Sequence, residues 1–296
     1  MRLLVVGSNG LLGSNVVHAA CDREWEVHGT YHSSQPSFDI PLSQYSLKSF
    51  EAFDQLLVKH EPDVVINCAA MTDVDSCEQN PDQALVLNGE APGELAARCE
   101  RDNIDFVHVS TDYIFDGDSQ NPYDESAEPN PLQEYGKSKM VGEQSVRENH
   151  SSALIPRLSF VWGVHRSTEE LTGFPSWVHE QLRSGETLPL FTDQWITPSR
   201  AGQAAETILD LIADGASGIH HVACRSCVTP YEFGGLLAER AGVTQDRLFE
   251  GSTEDLERGA ERPSHSCLSV TKVEGVLDRP QPTLSADVDA VWSLVE

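Results

Sequence analysis

The stretch Leu3-Leu4-Val5-Val6-Gly7-Ser8-Asn9-Gly10-Leu11-Leu12-Gly13 lies at the start of the chain and carries the strongest indication of its architecture. The apolar residues predict a buried strand, and the three glycines predict a tight turn into a helix that begins near Leu11. Such a turn lets the backbone approach a pyrophosphate at the positive end of the helix. The spacing G-x-x-G-x-x-G differs from G-x-G-x-x-G, and a bare glycine repeat could be an ordinary turn. Its position between strand and helix favours a dinucleotide site formed by Gly7, Asn9, Gly10, Leu11, Leu12 and Gly13.

Short apolar runs recur along the chain, with amphipathic stretches such as Leu47 to His60 and Asp82 to Arg101 between them. This alternation predicts an α/β fold with a Rossmann-type, doubly wound parallel sheet. The runs cover residues 2–6, 26–30, 63–68, 104–110, 154–160 and 218–223.

From Arg157 onward, glycines and prolines break the chain into shorter pieces. We therefore predict a dinucleotide-binding domain over residues 1–156 and a smaller, mainly substrate-binding region over residues 157–296. Elements around residues 200–224 are expected to return to the first domain. The active site should lie between the two regions, at the carboxyl ends of the strands.

The end of the second apolar run bears on which dinucleotide binds. Thr30-Tyr31-His32-Ser33-Ser34 contains no carboxylate, which would hold the ribose 2′-hydroxyl of NAD and repel a 2′-phosphate. NADPH is therefore favoured, although NADH stays open because this stretch contains no arginine. The cofactor is expected to contact His32, Ser33, Asp39, Ile40, Cys68, Ala69 and Ala70.

Tyr135 and Lys139 are four residues apart and would share one face of a helix. A tyrosine beside a fixed positive charge can move a proton near the working pH. Another apolar run ends in Ser110-Thr111, which places a small hydroxyl at a strand end. A tyrosine and a lysine could also form a plain surface pair, and Thr111 could be a cap.

Together these motifs resemble the extended short-chain dehydrogenases/reductases and, among them, the dTDP-4-dehydrorhamnose reductases. The resemblance covers most of the chain. Besides the glycine turn, it rests on Asn67-Cys68-Ala69-Ala70-Met71-Thr72-Asp73-Val74-Asp75, Ser110-Thr111-Asp112-Tyr113-Ile114-Phe115-Asp116-Gly117, Tyr135-Gly136-Lys137-Ser138-Lys139, Gly142-Glu143, Asp193-Gln194, Thr197-Pro198 and Arg262-Pro263.

The resemblance implies reduction of a nucleotide-linked 4-keto-6-deoxy sugar by NADPH. Tyr135 would protonate the C4 oxygen, Thr111 would hydrogen-bond it, and Lys139 would hold the nicotinamide ribose and lower the pKa of Tyr135. Asp112, Tyr113 and Phe160 would line the sugar pocket. The resemblance also implies a homodimer as the oligomeric state to test.

The sugar side departs from the family pattern. Phe160 stands where the family often has tryptophan, and Gly173-Phe174 stands where it often has Asn-Phe. So acidic a chain needs local cations to bind a nucleotide sugar, and we expect Arg200 and Arg262 to contact its diphosphate. Both could instead be solvated or ion-paired.

Two other functions stay open at this point. One is a non-catalytic subunit that resembles the regulatory beta subunit of methionine adenosyltransferase. The other is a nucleotide-sugar epimerase or a reductase of another sugar.

The formal net charge of -27 disfavours nucleic acid and anionic membranes as partners. No run of about 18 apolar residues exists, so we expect a cytoplasmic protein without a membrane span. The acidic residues are spread along the chain, which is typical of proteins from concentrated salt, where screening shortens the Debye length to about 3 Å.

We therefore predict a halophilic source. Dilution into low salt should unfold or inactivate the protein, because self-repulsion is then unscreened. Circular dichroism across a salt series measures this, and full stability in dilute buffer would contradict it.

The seven cysteines are dispersed and odd in number, so a disulfide framework is not expected. Cys224 and Cys227 have the spacing of half a zinc site, but no second pair follows. We therefore predict two ordinary thiols at a strand end and assign no metal site.

Overall fold

A parallel sheet forms the centre of the molecule. The computed structural model describes residues 1–295. The strands of this part of the chain are β1 (Arg2–Val6), β2 (Glu26–Tyr31), β3 (Leu42–Gln44), β4 (Val64–Asn67), β5 (Asp105–His108), β6 (Ser110–Thr111), β7 (Leu154–Leu158), β8 (Val161–His165), β9 (Glu170–Thr172), β10 (Leu188–Phe191), β11 (Ser199–Arg200), β12 (Gly218–His221) and β13 (Leu248–Gly251). The helices are α1 (Leu11–Asp22), α2 (Phe50–His60), α3 (Val74–Gln79), α4 (Pro81–Ala84), α5 (Ala91–Arg101), α6 (Glu134–Asn149), α7 (Phe174–Ser184), α8 (Ala201–Ala213), α9 (Pro230–Arg240), α10 (Thr271–Leu277) and α11 (Leu284–Val295).

The main sheet has the strand order β3-β2-β1-β4-β5-β7-β12, and β6 pairs with β7 as a continuation of β5. All of its pairings are parallel. Each of the six predicted apolar runs overlaps a strand of this sheet, which confirms the predicted fold class. The strand order reverses between β1 and β4, and ligands of such sheets bind at this point.

Side chains of β1 alternate between two cores. Leu3 and Val5 pack on the face that α1 and α8 cover, whereas Leu4 and Val6 pack on the face that α2 and α5 cover. Because both faces are buried, the strand is a continuous apolar run without polar alternation. This packing explains why the amino-terminal stretch is a strong fold signal.

A separate core fills the region around α7, α9 and α11, with Trp162 and Phe233 among its largest buried side chains. β10 and β13 form a small parallel sheet beside it. The chain returns to the main sheet through α8, which packs on α1, and β12, which pairs with β7. The domain boundary after residue 156 stays a prediction.

The amphipathic stretch from Asp82 to Arg101 is helical, but it is not one regular α-helix. Leu85–Glu90 form a π-helical segment between α4 and α5. Asn88 in this segment accepts a hydrogen bond from the Met71 backbone N–H at 2.8 Å and donates one to the Met71 carbonyl at 2.9 Å. π-Helical turns often occur at functional sites, and this one holds the chain that follows β4.

No helix in residues 1–295 is both long and apolar enough to cross a bilayer.

The cysteine prediction is correct for Cys224, which is a buried free thiol, and wrong for Cys227. Cys227 forms a disulfide with Cys267, 40 residues further along the chain. The backbone brings them together because their segments flank residues 195–196: Trp195 bridges to His265, and Ile196 bridges to Val228. Spacing within the Cys224-x-x-Cys227 motif could not reveal a partner so distant in sequence.

We expect alkylation of the unfolded, unreduced protein to label five cysteines, namely those that are free in the structure. Cys227→Ser should lower the free energy of unfolding by about 2–4 kcal/mol, because the cross-link restricts the unfolded chain. Mass spectrometry and urea unfolding measure the two effects. Cys21→Ser, at an exposed free thiol, is the control. Seven labelled cysteines would show that the disulfide does not form.

Candidate active site

The glycine turn after β1 has no room for side chains. Gly7 has a φ of +86°, and a Cβ added at Gly13 would lie 2.1 Å from the Gly7 carbonyl oxygen. The Gly10 backbone N–H donates a hydrogen bond to that oxygen at 3.1 Å. Because α1 begins at the next residue, its unpaired N–H groups face the space above the sheet.

A cavity of about 640 Å³ opens there, between the carboxyl ends of the strands and the second core. Its size is within the usual range of ligand sites. The cavity brings together most of the predicted residues: Gly7, Asn9, Gly10, Leu11, Leu12, Gly13, His32, Ser33, Cys68, Ala69, Ala70, Thr111, Asp112, Tyr113, Tyr135, Lys139 and Phe160.

Sequence reasoning missed other lining residues. Tyr31 and Ser34 flank the predicted pair after β2, and Val109 and Ser110 lie between β5 and Thr111. Their positions at strand ends were a usable signal. Thr72, Val74, Leu158, Val161 and Ile196 also line the cavity and had no comparable signal.

Asp39 and Ile40 do not line the cavity, which corrects their predicted contact with the cofactor. Both precede β3, whose register pairs Leu42 with Gly29. They therefore lie toward the amino end of a parallel strand, away from the carboxyl edge where the cavity opens. Ile40 packs instead against the core beneath α1.

Arg200 also lies outside the cavity, which corrects its predicted contact with a diphosphate. Its Nε donates to the buried Asp287 Oδ1 at 2.6 Å. The neighbouring Asn15 and Arg166 place this guanidinium beside α1. The plainer interpretation, an ion-paired arginine, is the observed one.

Helix α6 approaches the chain after β6 very closely. A Cβ at Gly136 would lie 2.0 Å from the Tyr113 carbonyl oxygen, so this helix position needs glycine. The Gln133 side chain caps the helix by accepting from the Gly136 N–H at 3.0 Å. This contact brings Tyr135 beside Thr111.

Burial has the largest effect on the pKa of the catalytic tyrosine predicted from sequence. It raises the pKa of Tyr135, while the neighbouring Thr111 hydroxyl lowers it. Lys139 is not among the main influences on the pKa of Tyr135, so the predicted lowering of this pKa by Lys139 is not found among the protein's own side chains. Tyr135 stays a neutral phenol at neutral pH, which is the form needed to give a proton.

Asp112 is buried beside this pair. Its carboxylate accepts from Thr111 Oγ1 at 3.1 Å and from Ser159 Oγ at 2.8 Å. Burial raises the pKa of Asp112 to about 6 despite these hydrogen bonds. The hydrogen bonds fix the Thr111 hydroxyl at the cavity wall.

Lys139 is buried one helical turn beyond Tyr135. Its Nζ donates to the Val109 carbonyl at 2.6 Å and lies 3.2 Å from His108 Nε2. Burial lowers the pKa of Lys139 to about 8, although Glu143 and Cys68 act in the opposite direction. The ammonium is thus easier to deprotonate than a surface lysine.

Two arginines lie near Tyr113, although neither of them lines the cavity. Arg262 pairs with Asp75 at 3.2 Å, and Arg258 packs over the Phe191 ring at 4.9 Å. Both positive charges lower the pKa of Tyr113, although burial dominates and raises it to about 12. Arg262 was predicted for this side, whereas Arg258 was missed because no motif marks it.

Phe160 lines the cavity with a φ of +44°, a left-handed conformation that is unusual for a bulky residue. Its ring packs on Phe174 at 5.7 Å and on Phe233 at 6.4 Å between ring centroids. Strained backbone of this kind persists only where the surroundings impose it, and it is concentrated at functional sites.

The residues present fit a nicotinamide dinucleotide. The glycine turn lines the cavity with backbone, and its tight shape leaves no room for a Cβ at Gly7, which would strike Ala69, or at Gly13, which would strike the Gly7 carbonyl. At the other end of the cavity, the Ser110 hydroxyl is buried without a hydrogen-bond partner among the described residues. A buried polar atom of this kind calls for a partner.

A family model described as the RmlD substrate binding domain matches residues 1–295. The chain belongs to this family. Its membership confirms the predicted likeness to dTDP-4-dehydrorhamnose reductases, and it makes the chain a nicotinamide-dependent oxidoreductase of the short-chain dehydrogenase/reductase type.

Relatives of this RmlD-family chain include several named reductases. A probable low-salt glycan biosynthesis reductase, Agl14, of Haloferax volcanii is 50% identical over 98% of this chain and 97% of its own length. The dTDP-4-dehydrorhamnose reductase of Mycobacterium tuberculosis is 31% identical over 90% of this chain and 84% of its own. Methionine adenosyltransferase 2 subunit beta of Mus musculus is 29% identical over 98% of this chain and 87% of its own.

Solved structures agree with the fold. A dTDP-4-dehydrorhamnose reductase from Clostridium acetobutylicum has a TM-score of 0.87 and 26% identity, with 100% of this chain and 99% of that chain covered. The same enzyme from Bacillus anthracis, solved in complex with NADP, has a TM-score of 0.87 and 25% identity, with 99% and 98% covered.

Proposed function

We propose that this protein is an NADPH-dependent reductase of a nucleotide-linked 4-keto-6-deoxy sugar, of the dTDP-4-dehydrorhamnose reductase type, and that it serves the synthesis of an activated sugar. The observation that carries the proposal is the meeting of Thr111, Tyr135 and Lys139 in one cavity with the glycine turn. A binding protein without catalysis has no need for a buried phenol and lysine at this point.

The bound nicotinamide would supply the hydride, and the protein would position the keto group and protonate it. Thr111 has a single hydroxyl proton, which it donates to Asp112 in this structure, so it would turn that proton to the C4 oxygen as negative charge develops there. Tyr135 would then give its phenol proton to the same oxygen. Lys139 would hold the ribose and replace the proton on Tyr135.

Asp112, Tyr113 and Phe160 are proposed to line the sugar site, because all three face the cavity. Arg262 is proposed for the diphosphate, with Arg258 as a second cation beside it. Their charges reach Tyr113 and are only partly balanced by Asp75 and Asp193. A pair of arginines suits a dianionic diphosphate.

NADPH is proposed as the preferred cofactor. The cavity wall after β2 is formed by Tyr31, His32, Ser33 and Ser34, none of which is negatively charged. A 2′-phosphate would meet no carboxylate there, whereas NADH would lack its usual anchor. The relative solved with NADP supports this choice.

The acidic surface and the Haloferax relative support a halophilic source, as proposed from the charge. A cytoplasmic location and a homodimer are part of the same proposal, since a soluble nucleotide sugar and NADPH are expected in that compartment. Size-exclusion chromatography in concentrated salt tests the dimer.

The decisive assay follows NADPH absorbance after addition of dTDP-4-keto-6-deoxy sugar in concentrated salt. We expect oxidation of NADPH that depends on the sugar, with a lower KM for NADPH than for NADH. UDP-linked 4-keto sugar tests the nucleotide. A strong preference for NADH would overturn the proposed cofactor, and no turnover with any nucleotide sugar would overturn the proposed function.

A non-catalytic regulatory role is the second candidate, because the methionine adenosyltransferase subunit matches nearly the whole chain. It predicts NADPH binding without turnover of any keto sugar. Isothermal titration with NADPH alongside the absorbance assay separates these two functions.

A further inference from the structure

A row of hydrogen bonds runs behind Lys139 into the sheet. Ala69 N–H donates to Asn67 Oδ1 at 3.1 Å, Asn67 Nδ2 lies 3.2 Å from His108 Nδ1, and His108 Nε2 lies 3.2 Å from Lys139 Nζ. Nζ also donates to the Val109 carbonyl at 2.6 Å. Asn67 and His108 are buried neighbours on β4 and β5, which are directly paired.

The backbone fixes which way Asn67 points. An N–H group can only donate, so the atom facing Ala69 must be the amide oxygen. The amide NH₂ therefore faces His108 and donates to Nδ1. This nitrogen must accept, and it carries no proton.

The remaining ring proton is then on Nε2. His108 is neutral, because burial holds its pKa well below the usual value. A neutral imidazole has one N–H, and Nδ1 does not carry it. The Nε2–H bond therefore points toward Nζ of Lys139.

Only a neutral amine can accept that hydrogen bond. An ammonium has three donors and no lone pair, whereas an amine accepts one hydrogen bond and still donates to Val109. Charging Lys139 must therefore break the contact with His108 or the contact between His108 and Asn67. In the second case Asn67 would turn and lose Ala69, which lines the cavity.

The other charged or titratable groups near Lys139 do not take over the role of His108. Glu143, on the same helix, favours the ammonium but is already bonded to Arg157 on β7 at 2.7 Å. The Cys68 thiol, after β4, is neutral because burial raises its pKa to about 12. Tyr135, one turn away on α6, is a neutral phenol. His108 is thus the group on β5 that bonds directly to Nζ.

We propose that His108 is a positioning residue of the reductase, held by Asn67 with its Nε2 proton toward Lys139, so that Lys139 can give up and regain a proton during each turnover. The inference rests on the proposed function for its role in catalysis, but the tautomer of His108 does not. It adds a histidine on β5 to the groups that act on the reaction through Lys139.

The first test compares pH profiles of kcat for the wild type and for His108→Gln. The glutamine carbonyl can accept from the ammonium, so the basic limb should move up by about one pH unit. His150→Gln is the control, since His150 is also buried but bonds to the Ile104 carbonyl away from the cavity. Its profile should match the wild type. An unmoved basic limb in an active His108→Gln enzyme would overturn the proposal.

The second test needs neither a folded variant nor a substrate. Nitrogen NMR of protein labelled at histidine should show His108 protonated at Nε2 and bare at Nδ1 at pH above the pKa of Lys139, about 8. A proton on Nδ1 there would overturn the proposal. This measurement uses the protein alone, so it tests the tautomer of His108 even if the sugar assay shows no turnover. Failure of the proposed tautomer can therefore be distinguished from failure of the proposed function.

Discussion

Tyr135→Phe is expected to lower kcat for reduction of the keto sugar by about 10²–10⁴-fold, the usual contribution of a positioned acid. The phenol is a neutral proton donor within hydrogen-bond reach of Thr111, and phenylalanine keeps the ring and removes only the hydroxyl group. NADPH binding should change little, because the glycine turn and Lys139 stay in place.

Stopped-flow or steady-state absorbance of NADPH measures this loss, and fluorescence titration measures the binding. Tyr45→Phe is a matched control: this tyrosine is buried in the core beneath α2, and its hydroxyl has no hydrogen-bond partner among the described residues. Its turnover should equal that of the wild type. Unchanged turnover in Tyr135→Phe would remove Tyr135 as the acid and require another donor.

Arg157→Met is expected to destabilise the protein by about 3–5 kcal/mol. Arg157 and Glu143 are only 2% and 4% exposed, and two hydrogen bonds of 2.8 and 2.7 Å join them. Methionine fills much of the space but leaves the Glu143 carboxylate buried without its partner. The Glu143 charge raises the pKa of Lys139, so the loss of its arginine partner should raise this pKa further.

Urea unfolding in concentrated salt measures the change in free energy. Arg225→Met is the control, because its pair with Glu274 is exposed and should contribute less than about 1 kcal/mol. The double change Arg157→Met with Glu143→Leu should recover most of the lost stability, since neither position then leaves a charge buried without its partner. A loss below 1 kcal/mol in Arg157→Met would mean that water reaches the pair.

The parts of this molecule that were predictable from sequence are those fixed by local geometry. The strand at residues 2–6 and the glycine turn after it could be predicted from the sequence, because burial on both faces and a turn without side chains each impose a local sequence pattern. Tyr135 and Lys139 face one cavity because helical spacing places them on one face. Cys68 and Thr111 could be assigned to the cavity because ligands of parallel sheets bind at the carboxyl ends of the strands.

The errors concern side chains whose partners are distant in sequence. Arg200 pairs with Asp287, and Cys227 pairs with Cys267. Asp39 and Ile40 were placed at the cofactor because β3 was not located, although a strand of three residues gives little signal. Arg258 has no motif around it, and only the folded chain brings its charge to Tyr113.

Helix α6 rests on bare backbone at two points. A Cβ at Gly136 would strike Tyr113, and one at Gly142 would lie 2.1 Å from the Asn88 carbonyl oxygen. A helix docked this closely at both places can neither slide nor rotate without a clash, so Tyr135 and Lys139 move together with the turn after β6 and the π-helical segment. Any closure around an arriving sugar must therefore be carried by the opposite wall, where Phe160 and its aromatic neighbours belong to the other core.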